Sequence, residues 1–348
     1  MKQQAAKKIL IITGTYPPER CGAGDYVYNL FQTEEAKDWD LFYSKDWSLG
    51  TFSSKVKEIK KMKPNIINIQ YPTMGYGLSV LPHLLCLYFR CLTRTKVTVT
   101  IHENSQLGWK AKAASIIYMI FANKLIFTNK YELDYSKRFN PLFLRGKSTV
   151  IKIFSNIKAA ETLPSIENRK YDLGYFGYIR LKKGLEDFVE VARALKKEKP
   201  DLKIYIMGQI QPEYKEYYDS LFGNQEQNNI ELILNKDAEE VSTILADTKL
   251  MYLPFPDGVS ERRGSFLAAI KNLCLILTTK GIFTTQAHEK MCFFANKEDA
   301  KVQVENILAY TTEELQVKQK QVMDFIQNEI PQSWSEVAKS YNEFLLKQ

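Results

Sequence analysis

The chemistry-bearing residues of this chain concentrate in one segment, Pro254-Phe-Pro-Asp-Gly-Val-Ser-Glu-Arg-Arg-Gly-Ser-Phe-Leu-Ala-Ala-Ile270. The run Lys249-Leu-Met-Tyr-Leu before it reads as a strand, and Leu273-Cys-Leu-Ile-Leu-Thr-Thr279 after it as another. Gly264 and Ser265 would open a helix between them, where free backbone N–H groups and the positive end of the helix dipole favour an anion. Arg262 and Arg263 add guanidinium donors whose fork geometry suits phosphate oxygens. Glu261 sets a carboxylate beside this phosphate trap. That combination fits a ligand with hydroxyls as well as phosphate, as in a nucleotide-sugar. A capped crossover with solvated charges would carry the same residues.

Three further segments hold residues of similar promise. Thr15-Tyr-Pro-Pro-Glu-Arg-Cys-Gly-Ala-Gly-Asp-Tyr-Val follows the first predicted strand, and its Gly22 and Gly24 permit close backbone approach to a ligand just before a helix. It is not Gly-x-Gly-x-x-Gly, which disfavours a dinucleotide dehydrogenase. Asp25 there either meets an acceptor or caps the helix. His102 and Glu103 end the buried strand Val97-Thr-Val-Thr-Ile, where ligands bind in open α/β sheets. An imidazole at that place can hold a sugar hydroxyl; a satisfied core histidine is the alternative. Gln70-Tyr71 ends the preceding strand and lines an acceptor cleft or packs a loop. His83 and His288 lack such settings and read as surface or structural. The third segment, Tyr175-Phe-Gly-Tyr-Ile-Arg-Leu-Lys-Lys-Gly-Leu-Glu-Asp-Phe, joins a strand to a helix through a basic turn containing Arg180 and Lys183.

In this order along the chain, the segments resemble family 4 retaining glycosyltransferases, which have the two-domain GT-B fold. The family carries Glu-x7-Glu with Gly three residues after the first Glu; Glu261 and Gly264 fit, and Ala269 replaces the second carboxylate, which commonly contacts the ribose. Thr15 to Val27 resembles the family's Pro-Pro…Gly-Gly loop beside the donor phosphate. Lys183-Gly184 matches its Lys-Gly step, and Arg180 stands in for an Arg whose position Tyr178 occupies. The resemblance implies catalytic roles for His102, Glu261, Arg180 and Lys183. It implies donor or phosphate contacts at Gly22, Gly24, Gly208, Arg263, Gly264 and Ser265, and an acceptor side at Asp25, Gln70 and Glu103. It implies retention of anomeric configuration, the nucleoside-diphosphate sugar being donor substrate; no carboxylate cluster suggests a metal, the cations make one unnecessary, and no cofactor is expected.

The elements needed to hold these residues are legible as two βαβ series. Lys8-Ile-Leu-Ile-Ile-Thr, Ile66-Ile-Asn-Ile-Gln, Val97-Thr-Val-Thr-Ile and Leu125-Ile-Phe-Thr are short apolar runs, as in a parallel sheet covered on both faces. Helical periods lie between them, such as 25–31 and 54–62. A polar connector at 158–170 follows the first series, 1–157, and the pattern restarts at Tyr171 and runs to 330. The expected architecture is α/β, with two doubly wound Rossmann-like domains facing a cleft. Residues 331–348 predict a helix capped by Ser333; in the GT-B fold it returns to the first domain.

Composition bounds the remainder. The 348 residues, 45% hydrophobic and 25% charged, suit a globular protein of two ordinary domains. The apolar run from Leu78 to Leu92 is interrupted by Pro82, His83 and Arg90 and does not read as a membrane span. The N-terminus carries no signal-peptide pattern, and five unpaired-looking cysteines fit a reducing compartment, so a cytoplasmic location is expected. Residues 1–157 hold 23 Lys and Arg against 11 Asp and Glu (+12), and residues 158–348 hold 25 against 29 (−4). The basic half calls for an anionic partner. No nucleic-acid motif is present, and an anionic membrane surface at the inner face of the cell membrane fits better. Leu84 to Arg94 and Lys110 to Phe121 mix apolar and basic residues as interfacial helices do, or are core helices with basic ends. The expected function is transfer of a sugar from a nucleoside-diphosphate sugar to a glycan or lipid-linked acceptor. A non-catalytic sugar-nucleotide or glycan-binding protein, or a phosphorylase or epimerase on the same fold, is the alternative.

Overall fold

The computed structural model describes residues 7–19, 21–139, 141–223 and 229–347. The chain divides into two compact units, one formed by Met1–Phe154 with Pro331–Gln348, the other by Ser155–Ile330. In the first unit the order is β1 (Ile9–Thr13), α1 (Gly22–Phe31), β2 (Trp39–Tyr43), α2 (Phe52–Lys61), β3 (Ile66–Tyr71) and α3 (Leu81–Leu92). There follow β4 (Lys96–Ile101), α4 (Trp109–Phe121), β5 (Lys124–Phe127), α5 (Lys130–Phe139), α6 (Pro141–Leu144) and β6 (Ser148–Val150). The second unit contains β7 (Tyr171–Tyr178), α7 (Leu185–Glu198), β8 (Ile204–Gln209), α8 (Lys215–Phe222), β9 (Glu231–Leu234) and α9 (Ala238–Ala246). It continues with β10 (Thr248–Leu253), α10 (Gly264–Lys271), β11 (Leu275–Thr278), α11 (Gln286–Met291), β12 (Phe293–Phe294), α12 (Ala300–Leu308) and α13 (Thr312–Glu329). The final helix, α14 (Trp334–Leu346), belongs to the first unit.

Each unit is built on a six-stranded parallel sheet. The first has the order β2-β1-β3-β4-β5-β6 and the second β12-β11-β10-β7-β8-β9. The continuous apolar runs follow from burial on both faces. All five residues of β1 are buried, and they alternate between two cores as the period of a strand requires. Leu10 and Ile12 join the core under α3 and α4, whereas Ile9 and Ile11 join the one under α1 and α14.

Strand order fixes where a ligand can lie. In the first sheet the chain passes from β1 to β2 on one side and returns to β3 on the other. In the second, β7 lies between β8 and β10, so the order reverses at that pair. The carboxyl ends of β1 and β3, and of β7 and β10, therefore splay into a crevice at a switch point. Every sequence-derived site segment follows one of these four strands or their neighbours β4 and β8.

Two local readings change on folding. Helix α1 starts at Gly22 rather than Asp25, with Cys21 as the residue before it and no side-chain cap. Residues 158–170 are held by the second unit. The Arg169 guanidinium is buried and donates to the Thr248 carbonyl at 2.8 Å and the Leu273 carbonyl at 3.2 Å. Ser333 does cap α14, its Oγ accepting from Glu336 N at 3.1 Å.

Candidate active site

In the second unit the loops after β7 and β10 meet. Gly184 precedes α7 at φ +75°, a left-handed value that favours glycine. A Cβ there would lie 1.8 Å from the Pro254 carbonyl oxygen, so the Lys183-Gly184 step is what lets the two loops touch. The Tyr175 hydroxyl donates to the Lys183 carbonyl at 3.3 Å from beneath. Burial raises the pKa of this phenol, as does Glu186, while Arg263 and Arg180 act in the opposite sense. Both guanidinium groups, from different loops, are thus within electrostatic reach of the buried Tyr175 hydroxyl. Arg180 also lies 5.8 Å over the Tyr178 ring, the residue at the position where a cation was expected.

The loop from Pro254 to Arg263 is tied to itself. Arg263 pairs with Asp257 and stands 4.9 Å over the Phe255 ring, and Arg262 stacks 4.4 Å over Phe283. Arg263 is also the residue before α10, and no side chain caps the first turn, which begins at Gly264 and Ser265. An anion at this helix start would meet amides that no cap has claimed. Ala269 is wholly buried within α10, so its position adds core packing.

Glu261 is not a solvated loop residue. It is 8% exposed, and its Oε2 lies 4.0 Å from Nε2 of His288, a ring that is 1% exposed between Phe266 and Phe325. Thr285 N donates to His288 Nδ1 at 3.2 Å, so Nδ1 is an acceptor and the ring proton sits on Nε2, the nitrogen facing Glu261. Gly208, at the end of β8, is as close to its neighbour: a Cβ would lie 2.1 Å from the Gly177 carbonyl oxygen.

In the first unit His102 ends a polar chain threaded through the apolar sheet. Gln70 Nε2 donates to Asn68 Oδ1 at 2.6 Å, leaving Gln70 Oε1 to accept from His102 Nε2 at 2.7 Å. Thr100 Oγ1 donates to the same Asn68 oxygen at 3.2 Å and lies 2.8 Å from the Tyr341 hydroxyl, which accepts from Tyr26 at 3.1 Å. Gln70, Asn68 and Thr100 are wholly buried. Tyr26 also packs edge-on against His102, ring centres 5.0 Å apart. Buried polar groups in such a chain fix one another's orientation. Gln70 is therefore the partner that orients His102.

Glu103 is half-buried in the loop after β4. That loop is anchored by Glu132, a fully buried carboxylate accepting from Asn104 N and Ser105 N at 2.8 Å each and from Ser105 Oγ at 2.7 Å. Gly22, Gly24 and Asp25 lie in the first turn of α1, after the reversal that follows β1. The capping role considered for Asp25 is not made: it stands beyond the helix start and donates its own amide to the Cys21 carbonyl at 2.9 Å.

Tyr175, Asp257, His288, Glu132, Tyr26 and Tyr341 escape sequence reasoning, because residue types and spacing do not say which side chains meet on folding. The Thr285-x-x-His288 spacing of a helix start is the one local trace among them. His83 and His288, expected to be surface or structural residues, are not on the surface: they are only 2% and 1% exposed.

The two sheets define the GT-B fold of glycosyltransferase structures. The chain is similar to HepE from Anabaena in complex with UDP and glucose, at TM-score 0.73 and 11% identity, over 98% of this chain and 100% of that one. It is similar to sucrose-phosphate synthase from Thermosynechococcus elongatus, at TM-score 0.67 and 14% identity over 97% and 98% of the two chains. It is also similar to an E. coli structure described as trehalose-6-phosphate bound with UDP-2-fluoro glucose, at TM-score 0.68 and 8% identity over 98% and 99%. By sequence, no protein-family model and no curated protein matches the chain. At these identities the likeness concerns the fold.

Proposed function

We propose that the protein transfers a sugar from a nucleoside-diphosphate sugar to a glycan or lipid-linked acceptor, with retention of anomeric configuration. The observation that carries this reading is the meeting of the loops after β7 and β10 at the switch point of the second sheet, with Arg180 and Lys183 in the one loop and Arg263, just before the uncapped start of α10, in the other. Such a cluster suits a diphosphate, since a charge-assisted hydrogen bond contributes about 1.5–3 kcal/mol. The structural neighbours solved with UDP, UDP-glucose or a fluorinated analogue support the same ligand class.

In this reading Lys183, Arg180, Arg263 and the amides of Gly264 and Ser265 stabilise the departing diphosphate as the glycosidic bond breaks. Glu261, oriented beside His288, accepts hydrogen bonds from donor-sugar hydroxyls. The acceptor attacks from the face the diphosphate leaves, and a diphosphate oxygen takes its proton, which yields retention without a covalent intermediate. The cationic cluster supplies the charge a divalent metal would otherwise bring, so turnover is proposed to survive chelation. In the first unit, His102, oriented by Gln70 at Nε2, is assigned to a donor-sugar hydroxyl. Asp25, Gln70 and Glu103 are assigned to the acceptor side.

The test is a panel of nucleoside-diphosphate sugars read by thermal shift and by release of free diphosphate, with and without a chelator. One member should raise the melting temperature and be hydrolysed or transferred. A panel with no binding overturns the proposal. Binding without turnover would favour a non-catalytic sugar-nucleotide-binding protein, to which Ala269 and Tyr178 in place of expected charged residues already point.

A further inference from the structure

Helices α3 and α4 lay their buried faces on one core, through Leu81, Leu85 and Phe89 in α3 and Tyr118 and Met119 in α4. Their outward faces are also apolar. On α4, Trp109, Ala113, Ile116 and Ile120 recur at helical spacing and are all exposed, Trp109 at 76%. On α3, exposed Leu84 and Cys91 flank half-buried Leu87 and Tyr88, and Leu78 and Leu92 stand exposed before and at the end of the helix. A helix of a water-facing surface ordinarily turns polar residues outward. An apolar surface of this extent marks an interaction site.

Basic groups border these stripes. Lys110 lies 5.6 Å over the Trp109 ring, and Lys60 donates to the Tyr88 hydroxyl at 2.7 Å. Lys147 donates to the Ile120 carbonyl at 3.1 Å, and Arg90 is near enough to help lower its pKa, after the larger effect of burial. Between Glu58 and Glu132 the sequence holds ten Lys and Arg against one acid, Glu103. No helix among the described residues is long and apolar enough to cross a membrane. An apolar face with a basic border is complementary to a surface that is apolar below and anionic above.

We propose that the outer face of α3 and α4 is a docking surface for an anionic phospholipid bilayer, with Trp109, Ile116, Ile120 and Leu84 entering the headgroup–acyl boundary. Lys110, Lys60, Arg90 and Lys147 then meet lipid phosphates. The proposal is independent of the donor chemistry of the second unit, and failure of either leaves the other standing.

Sedimentation of the full chain with phosphatidylglycerol-containing vesicles and with pure phosphatidylcholine vesicles, across a salt series, tests it. Binding should be confined to the anionic vesicles and weaken with salt. There Trp109 emission should shift to the blue and resist acrylamide, a change lost in Trp109→Phe, because Trp39 and Trp47 are already buried and half-buried Trp334 packs against Tyr26 and Phe154. The triple variant Leu84→Ser/Ile116→Ser/Ile120→Ser should lower partitioning at least tenfold. Lys110→Glu, which leaves the apolar face intact, should lower it by more than the roughly fivefold of one basic contact. Absent or lipid-indifferent binding overturns the proposal. So does a lipid-free dimer that the triple variant dissolves, which would make this face a contact between copies of the chain. If the triple variant loses its native circular dichroism, Lys110→Glu and the Trp109 signal decide.

Discussion

Charge divides the proposed work among single residues. Glu261 adjoins Arg262 and Arg263 in sequence and lies 4.0 Å from His288; a carboxylate accepts from sugar hydroxyls and repels phosphate, so its assigned partner is the sugar. Glu261→Gln keeps the side-chain volume and removes the charge. Transfer should fall about ten- to a hundredfold if one contact of about 1.5–3 kcal/mol is lost in the transition state, while nucleoside-diphosphate affinity holds or rises slightly. Turnover and calorimetric affinity on the same folded variant check this; full turnover would return Glu261 to a structural role. Arg180→Ala and Lys183→Ala should behave in the reverse way, weakening the diphosphate itself by about tenfold each. Unchanged affinity in both calorimetric titrations would remove them from the phosphate site. His288→Phe keeps the aromatic packing between Phe266 and Phe325 but removes the Nε2 proton facing Glu261. Its loss should appear in turnover and not in diphosphate affinity, which a general unfolding of the loop could not produce.

At the scale of elements, α3 both faces outward and holds a buried titratable ring. His83 is stacked on Tyr118 at 4.4 Å and edge-on to Tyr71 at 5.0 Å. Burial pushes its pKa down to about 4, against a smaller opposing effect of the Val80 carbonyl. In the unfolded chain a histidine titrates near about 6.5, so the proton binds the unfolded state first. Stability is then complete above about pH 6.5 and is lost as pH falls toward 4, by roughly 3 kcal/mol in all. His83→Phe should remove that acid limb. Denaturant titrations of the first unit's transition across this pH range would show it as a flatter profile in the variant. Parallel profiles for wild type and variant would mean the ring does not remain neutral inside.

At the scale of the whole molecule, the chain leaves the first unit at Phe154 and re-enters it at Pro331. Helix α14 is part of that unit's core, with Val337, Ala338, Tyr341 and Leu345 buried. Trp39 Nε1 donates to Asn342 Oδ1 at 3.0 Å, and Ser335 Oγ donates to Glu35 Oε2 at 2.6 Å. Truncation after Ile330 would expose the α1 side of the first core and strip Thr100 and Tyr26 of their Tyr341 partner. Each large buried side chain so lost is worth about 2–5 kcal/mol. The truncated protein should therefore be cleaved by protease in residues 7–154 while residues 171–330 resist. Protection of both segments would show that α14 is dispensable. Tyr341→Phe isolates the polar part. It should lower stability by about 1–2 kcal/mol and reduce turnover through the Asn68–Gln70–His102 chain, without touching diphosphate affinity.

The sequence alone determined the two parallel sheets, because strands buried on both faces are written as short unbroken apolar runs. It also determined the places of Gly184, Gly208, Gly264 and His102, since strand ends followed by Gly or by polar residues mark where the chain turns at a sheet's carboxyl edge. It showed Arg180, Lys183 and Arg263 within a few residues of those turns, which is why they are proposed as the phosphate contacts. Only the tertiary structure decided which groups hold those residues in place. Glu132 under the loop after β4, His288 beside Glu261, and Tyr341 at the far end of the His102 chain are pairings across distant parts of the sequence, and Asp257 meets Arg263, six residues on, only through the fold of their loop. No periodicity encodes them. The same holds for the α3 and α4 faces. A helix apolar on both sides reads in sequence as a core helix, and only the position of the sheet beneath it says which stripe is left to meet something else.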